Sequence, residues 1–174
     1  MGQIFEEYYM SIKFQDNHNL ESHYTATGFV RNKGGDKILF IFHNKLQLLL
    51  PPGGHVDLGE LPHDAVVREI FEETGVRAQI IDPLGDLCLP AGSQEIQIPT
   101  PIAVLHEQIP AHGQKPAHLH YDFLYYLQAD NENVVPAEAE VEAGHWFTLE
   151  EILVCNTTEG AKAICKKLLG GSPY

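Results

Sequence analysis

Residues 51–76 constrain the fold most strongly, because they join a glycine-containing loop to a helix with clear start and stop signals. The loop reads Pro51-Pro52-Gly53-Gly54, and its two glycines permit close approach of another backbone or a ligand. Pro62 suits the first position of a helix, and Gly75 suits the left-handed position just after its end. We therefore predict a helix over residues 62–74.

The polar face of this predicted helix is almost wholly acidic. At about 100° per residue, one arc holds Arg68, Glu69, Glu72 and Glu73, and the opposite arc holds Val66, Val67, Ile70, Phe71 and Thr74. Carboxylates three and four positions apart repel one another. A divalent cation with oxygen ligands would offset that repulsion, and Mg²⁺ suits a site with few carboxylates. An ordinary solvated helix face is the alternative that the charge pattern leaves open.

The spacing around this helix matches a known signature. Its fixed positions are Gly54, Glu60, Arg68-Glu69-Ile70, Glu72-Glu73 and Gly75-Val76. The pattern resembles the Nudix box of the MutT/Nudix hydrolases at every specified position, and Pro52-Gly53-Gly54 resembles its usual entry. The resemblance implies an α/β chain with the Nudix fold, a mixed β-sheet sandwiched between helices. We expect a single domain over residues 1–174, with residues 1–20 as an N-terminal extension.

The resemblance also implies an activity: metal-dependent hydrolysis of a diphosphate linkage in a nucleoside diphosphate joined to another group, by attack of water on phosphorus. The expected cofactor is Mg²⁺, with Mn²⁺ as an alternative. By the same resemblance, the metal ligands would be Glu69, Glu72 and Glu73. Arg68 would brace them, and Glu60 would either reach the site through water or fix its loop.

Other site residues follow from their neighbours. Residues 139–147 resemble the late family segment that leads into a Trp-Phe strand, so the general base would be Glu69 or Glu140. The backbone of Gly53 and Gly54 would lie against metal or substrate oxygens. His55, beside these glycines, is a further candidate for substrate contact.

A second polar pattern lies in the segment 118–129, which we predict to be a strand. His118, His120 and Asp122 alternate there with apolar residues, so their side chains share one face. The outer two would lie about 13 Å apart, too far to share an ion, although His118 and His120 alone could share one. We interpret the three as a polar lining of the substrate cleft or a solvent face, and include His120 among the substrate-contacting candidates.

The remaining elements are predicted from local patterns. Strands are expected at 23–31, 37–42, 48–50, 76–81 and 94–109, with a short last strand containing Trp146 and Phe147. Residues 32–36 supply the turn of a hairpin. Thr148 and Thr158 are expected to cap helices over 149–154 and about 159–169. Residues 3–15 have the pattern of a short amphipathic helix, and Leu61 stands where the family often has a capping Ser or Thr.

The amino-acid composition argues against several classes of binding partner. Acidic residues number 24 against 11 basic ones, and the resulting charge of −13 disfavours binding to nucleic acid or an anionic membrane. The three cysteines, Cys88, Cys155 and Cys165, lack the spacing of a disulfide framework or zinc site, so we interpret them as reduced thiols. Without a signal-peptide pattern at the N-terminus or a membrane-length apolar run, we expect a cytoplasmic protein.

The expected partner is a small nucleoside diphosphate derivative, and a homodimer is common in the family. Two alternatives stay open at this point. One is a non-catalytic module that senses a nucleotide, which the three intact glutamates Glu69, Glu72 and Glu73 disfavour. The other is an enzyme like isopentenyl-diphosphate isomerase, which would need a dedicated cysteine that is not found beside the box.

Overall fold

A computed structural model describes residues 19–135 and 141–170, and its central feature is a mixed eight-stranded sheet. The strands are β1 (Ser22–Arg31), β2 (Lys37–His43), β3 (Leu48–Leu50), β4 (Gly53–His55), β5 (Ala78–Ile80), β6 (Ala103–Ile109), β7 (His118–Ala129) and β8 (Val141–Thr148). The helices are α1 (Pro62–Thr74), α2 (Leu149–Val154) and α3 (Glu159–Leu169).

The parallel pair β1 and β7 forms the centre of the sheet. It runs without interruption from Ser22 opposite Leu119 to Arg31 opposite Gln128. The main strand order is β3-β2-β1-β7-β5, and β4, β6 and β8 pair with β1, β7 and β2. All pairs other than β1 with β7 are antiparallel. Residues 97 positions apart in the sequence therefore lie side by side at the centre.

Helices cover both faces of the sheet, because successive side chains of β1 point to opposite sides. Ala26 and Val30 pack with buried residues of α1, whereas Phe29 belongs to a second cluster with residues of α2 and α3. Gly28 permits a close approach of α1, since an added Cβ would lie 2.6 Å from Cδ1 of Ile70. The expected mixed sheet between helices is confirmed.

Most of the local predictions are also confirmed. Helix α1 spans residues 62–74, and Gly75 follows with φ 68° and donates its N–H to the carbonyl of Phe71. The hairpin, the strand at 48–50 and the strand at 118–129 are present. Thr148 forms a complete capping box at α2, and the side chain of Thr158 caps α3.

Two strand predictions are too long. Only residues 103–109 of the predicted strand 94–109 are extended in the sheet, and the predicted strand 76–81 is reduced to 78–80. The edge of β7 is divided, because β6 pairs with it only up to Leu124 and β5 occupies the positions beyond. Residues 94–101 therefore find no partner strand, and Pro99 and Pro101 have no N–H to donate to one.

The buried stripe of α1 is narrower than the helical wheel predicts. Its buried residues include Val66, Ile70 and Thr74, but Val67 and Phe71 are 38% and 46% exposed. Phe71 instead packs beside Arg77, whose guanidinium carbon lies 5.1 Å from the ring centroid.

Several predictions concern segments outside the described residues. The amphipathic helix over 3–15 is one of them, and almost all of the proposed N-terminal extension is another. Within the described residues, no helix combines the length and the apolar character needed to cross a membrane.

The N-terminus of α1 offers a direct test of the capping argument. Leu61 is the N-cap residue, has no side-chain capping hydrogen bond and is 40% exposed. Leu61→Ser is expected to be more stable than Leu61→Ala by about 1 kcal/mol, because its hydroxyl can accept a free N–H of the first turn. The free energy of unfolding in urea is the measurement.

Thr148→Ala is the matched comparison at α2, where it should lose a similar free energy because the capping box is broken. Equal stability of the Ser and Ala variants at position 61 would contradict the capping argument.

Candidate active site

The guanidinium of Arg68 is the centre of the acidic face of α1. Its Nε and Nη2 each donate to one carboxylate oxygen of Glu60 at 2.9 Å. Its Nη1 donates to Glu69 at 2.8 Å and to Glu72 at 3.0 Å, and Nη2 also donates to the carbonyl oxygen of His55 at 3.1 Å. One side chain thus joins α1, the loop before it and β4.

Glu60 has the contacts of a residue that holds this loop. Besides its bidentate pair with Arg68, it accepts the N–H of Asp57 at 3.0 Å. The hydrogen bonds from Arg68 lower the pKa of Glu60 below its usual value, and the bonds to Glu60, Glu69 and Glu72 raise the pKa of Arg68. The pair is therefore charged at neutral pH, and the charge-assisted bonds between its members are strong.

The glycines of β4 lie against the glutamates of α1. The N–H of Gly53 donates to Oε2 of Glu73 at 3.0 Å. A Cβ added to Gly54 would lie 2.5–2.8 Å from the carboxylate atoms of Glu69. A close approach thus explains the absence of a side chain at position 54, and both carboxylates lie beside the glycine loop.

The donor set of this face suits a hard divalent cation. Glu69, Glu72 and Glu73 supply carboxylate oxygens, which Mg²⁺ and Mn²⁺ prefer. Arg68 pairs with Glu69 and Glu72. Among the described residues, the group of possible metal ligands whose ligand atoms all lie within 4.8 Å of one another consists of histidines and not of these carboxylates. The carboxylates are therefore arranged along the helix face with Arg68 between them.

A cavity of about 300 Å³ opens on the other side of β4. Its wall includes Gly53, the polar residues Thr27, Glu107 and Asp122, and several apolar side chains of β1, β3, β7 and α3. Asp122 accepts hydrogen bonds from the hydroxyl of Thr25 at 3.0 Å and from that of Thr27 at 2.9 and 3.0 Å. These bonds fix a buried carboxyl at the cavity wall.

Both acids of the cavity bind protons more readily than usual. Burial raises the pKa of Asp122, and the bonds from Thr27 and Thr25 offset only part of that shift. Burial also raises the pKa of Glu107, and the negative charge of Asp122 adds to the shift. The cavity can therefore present acceptors or, once protonated, donors to a polar ring.

The histidines of β7 lie apart from Asp122, toward the start of the strand. His118 and His120 cluster there with His55 of β4 and with His23, which is directly opposite His120 in the sheet. The predicted substrate-contacting residues His55 and His120 are thus neighbours, with ring centroids 5.1 Å apart. The other predicted base, Glu140, lies outside the described residues.

Sequence reasoning missed the contribution of β1 to this face. His23, Thr25 and Thr27 alternate with other residues, as His120 and Asp122 do on β7. This period of two was the signal that could have found them. Glu107 carried no comparable signal, because its position opposite His120 depends on the register of β6 against β7.

Comparison with known proteins identifies the family. A family model described as the NUDIX domain matches residues 21–167. The chain belongs to the Nudix family. It is 36% identical over 115 residues to a protein named as a probable DHNTP pyrophosphohydrolase of Lactococcus lactis subsp. cremoris, a match that covers 66% of this chain and 57% of that protein. It is 39% identical over 62 residues to the 8-oxo-dGTP diphosphatase of Escherichia coli, covering 31% of this chain and 44% of that protein.

Solved structures agree on the fold. A NUDIX-family hydrolase from Clostridium perfringens superposes with a TM-score of 0.70 at 27% identity, covering 85% of this chain and 96% of that one. An Ap4A hydrolase from Caenorhabditis elegans, with a TM-score of 0.56 and 18% identity, shares the fold alone. The expectation of a Nudix fold and of an enzyme of the Nudix hydrolase family is confirmed.

The two glycines of β4 are expected to respond differently to alanine. In Gly54→Ala the new Cβ meets the carboxylate end of the Glu69 side chain, and its nearest atoms include no backbone atom of another element, so the fold should survive while the displaced carboxylate lowers the hydrolysis rate by about tenfold or more. In Gly53→Ala the Cβ meets backbone atoms of Ala26 and Thr27, which cannot move aside as a side chain can, so the main effect should be a lower melting temperature. Thermal unfolding and hydrolysis rates measured on both variants would separate the two effects, and full activity of a folded Gly54→Ala would contradict this geometry.

Asp122→Asn tests the electrostatics of the cavity. Because burial raises its pKa, ionised Asp122 destabilises the fold as the pH rises through that pKa, and the penalty is absent below the ordinary Asp value of about 3.8. The variant should therefore gain stability relative to the native chain between acid and neutral pH. The measurement is the free energy of unfolding in urea from about pH 3.5 to about pH 7, a range that begins near the ordinary pKa of Asp.

Asp86→Asn, at an exposed carboxylate outside the cavity, is measured in parallel as the matched control. A stability difference for Asp122→Asn that does not change with pH would contradict a raised pKa.

Proposed function

We propose that this protein hydrolyses the diphosphate linkage of a nucleoside diphosphate joined to another group, and that the reaction depends on a divalent metal ion. The observation that carries the proposal is the position of β4. Gly53 donates to Glu73 on the side of α1 and also lines the cavity. A diphosphate at the glycine loop would thus lie between the carboxylates and a pocket for the rest of the substrate.

Under this proposal Glu69, Glu72 and Glu73 hold Mg²⁺, with Mn²⁺ as the alternative. The bound ion would neutralise phosphate charge and lower the proton affinity of the attacking water. The net charge of −13 supports a need for it, since the carboxylates alone repel an anionic substrate.

The chain's own residues then have separate tasks. Arg68 orients Glu69 and Glu72 through charge-assisted hydrogen bonds and fixes the loop through Glu60. The backbone of Gly53 and Gly54 lies against substrate oxygens. The general base is Glu69 or Glu140, and His55 and His120 line the approach to the glycine loop.

The cavity supports a substrate with a flat ring that carries N–H groups. Asp122 and Glu107 provide acceptors in the wall, and apolar side chains such as Leu124 provide surfaces for ring faces. Of the two relatives described above, one is named as a probable DHNTP pyrophosphohydrolase and the other as an 8-oxo-dGTP diphosphatase, and both names agree with a nucleotide-like ligand. We therefore favour nucleoside or nucleoside-like di- and triphosphates with a ring of this kind over substrates that lack one.

We also propose a cytoplasmic location, a small-molecule partner in place of nucleic acid or membrane, and assembly as a homodimer. Cys88, Cys155 and Cys165 are free thiols in the structure, which agrees with a reducing compartment. The acidic surface agrees with the absence of polyanionic partners. Size determination in solution tests the dimer.

The direct test is a panel of nucleoside triphosphates, oxidised guanine nucleotides, pterin triphosphates, nucleotide sugars and dinucleoside polyphosphates, each with and without Mg²⁺. We expect release of phosphate or pyrophosphate only with the metal ion. Tight binding without turnover across the panel would instead favour the nucleotide-sensing module. Nucleotide affinity that is the same after removal of Mg²⁺ would contradict the role given to the ion.

Glu73→Gln is expected to lower metal-dependent turnover by more than about 100-fold with the fold intact, because an amide is a poor substitute for a carboxylate ligand. Glu159→Gln, in an exposed salt bridge of α3, is the matched control and should retain activity. Measured turnover close to the native value in a folded Glu73→Gln would refute the assignment.

The same assay distinguishes the two candidate bases. Loss of the base should lower kcat by about 10²–10⁴-fold. Glu140→Gln would do so with unchanged Mg²⁺ affinity if Glu140 is the base, whereas Glu69→Gln should change both quantities because Glu69 is also a proposed ligand.

A further inference from the structure

Four histidines from three strands meet on the cavity face of the sheet, beyond the acids of the pocket. This histidine cluster consists of His23 on β1, His55 on β4, and His118 and His120 on β7. The ring centroids of contacting pairs lie 4.8–5.9 Å apart. One ligand nitrogen each from His23, His55 and His120 lies within 4.8 Å of the other two. The hydrolysis proposed above does not require four histidine side chains in contact with one another.

We propose that the histidine cluster binds a borderline divalent transition-metal ion, with Zn²⁺ as the probe, at a site distinct from the carboxylates of α1. Imidazole nitrogens favour zinc, copper and nickel, whereas carboxylate oxygens favour magnesium and manganese. Oxygen donors thus lie on one side of β4 and nitrogen donors on the other. The inference concerns the cluster alone and does not depend on the proposed hydrolysis.

The spacing of the nitrogens is close to that of a zinc site. Zn–N bonds of about 2.0–2.1 Å in a tetrahedral site place ligand nitrogens about 3.3 Å apart. The Nε2 atoms of His118 and His120 are already 3.1 Å apart. The three nitrogens of His23, His55 and His120 need to approach by about 1.5 Å at most, which rotations of the side chains can supply.

Two of the rings are already oriented by outer partners, as zinc-bound histidines usually are. Nε2 of His23 lies 3.4 Å from a carboxylate oxygen of Glu21, and its buried Nδ1 has no hydrogen-bond partner among residues 19–135 and 141–170. Nδ1 of His118 lies 3.0 Å from the carbonyl oxygen of Pro116. The carbonyl can only accept, so Nδ1 carries the proton and Nε2 of the neutral ring has a lone pair facing the cluster.

The surroundings favour the neutral form of two of the rings, those of His55 and His120. Burial and the neighbouring histidines lower the pKa of His120 to about 4, and burial is also the main cause that lowers the pKa of His55. Neutral imidazole is the ligand form. Charged side chains that interact with the cluster include the carboxylates of Glu21 and Asp57 and the ammonium group of Lys115.

An ion at this site would link three strands that are far apart in sequence. His55 directly follows Gly54 and its carbonyl oxygen accepts from Arg68. Coordination of its ring would tie β4 to β1 and β7 and hold the glycine loop from the side opposite the carboxylates.

The test uses the full chain, stripped of metal with a chelator and kept in excess Mg²⁺ so that the carboxylates do not compete for zinc. Zn²⁺ is then titrated against a chromophoric chelator, and thermal unfolding is recorded in parallel. We expect one zinc per chain and a rise in Tm of several degrees. Failure of the native protein to bind zinc under these conditions would overturn the proposal.

Variants locate the ion. His23→Gln and His120→Gln should each weaken zinc binding by at least about 100-fold and remove the zinc-dependent rise in Tm. His145→Gln, at an exposed histidine of β8 outside the cluster, is the matched control and should bind zinc as the native chain does. Zinc binding that is unchanged in the two cluster variants would place the ion elsewhere and refute the site.

A spectroscopic measurement on the native chain covers the case in which a cluster variant does not fold. Co²⁺ in a four-coordinate nitrogen site absorbs strongly in the visible range, whereas six-coordinate Co²⁺ among oxygens absorbs weakly. We expect the strong spectrum in excess Mg²⁺, together with zinc-dependent shifts of the imidazole nitrogen resonances. A weak spectrum without such shifts would overturn the proposal.

Discussion

The charge-assisted hydrogen bonds of Arg68 are the interaction on which the rest of the site depends. Helix α1 carries crowded carboxylates, and like charges at that spacing destabilise a helix unless a cation offsets them. Arg68 pairs with Glu60, Glu69 and Glu72 and also binds the carbonyl oxygen of His55. The same side chain therefore relieves the repulsion on the helix and sets the distance between α1 and β4. A lysine could not do both, because it lacks the planar fork of donors.

Local signals explain why much of the fold could be predicted. Pro62 and Gly75 mark the ends of α1 through their own backbone preferences, and Thr148 and Thr158 cap the last two helices through bonds within one turn. The acidic face and the glycine loop follow directly from the spacing in residues 51–76. Predictions of this kind succeed because the chemistry that decides them lies within a few residues.

The failures in the sheet have one physical cause, which is pairing between distant strands. The length of β6 depends on how much of β7 is left free by β5, and the segment 94–101 does not contain that information. The cavity and the histidine cluster depend on the parallel register of β1 against β7, which sets His23 opposite His120 and Thr25 opposite Asp122. Residues 97 positions apart thus share a face. The alternation within each strand shows which of its own side chains share a face, but it does not show that the two faces adjoin.

Successive residues of β4 face opposite sides of the sheet, so this strand separates the carboxylates of α1 from the histidine cluster. Gly54 faces the carboxylate of Glu69, while the side chain of His55 points to the opposite face, toward His23 and His120. A shift of β4 by one residue against β1 would move His55 to the acidic side and leave no room for it beside Glu69. Steric fit at position 54 and the bond from Arg68 to the carbonyl of His55 therefore fix the register, and with it the division between oxygen donors and nitrogen donors.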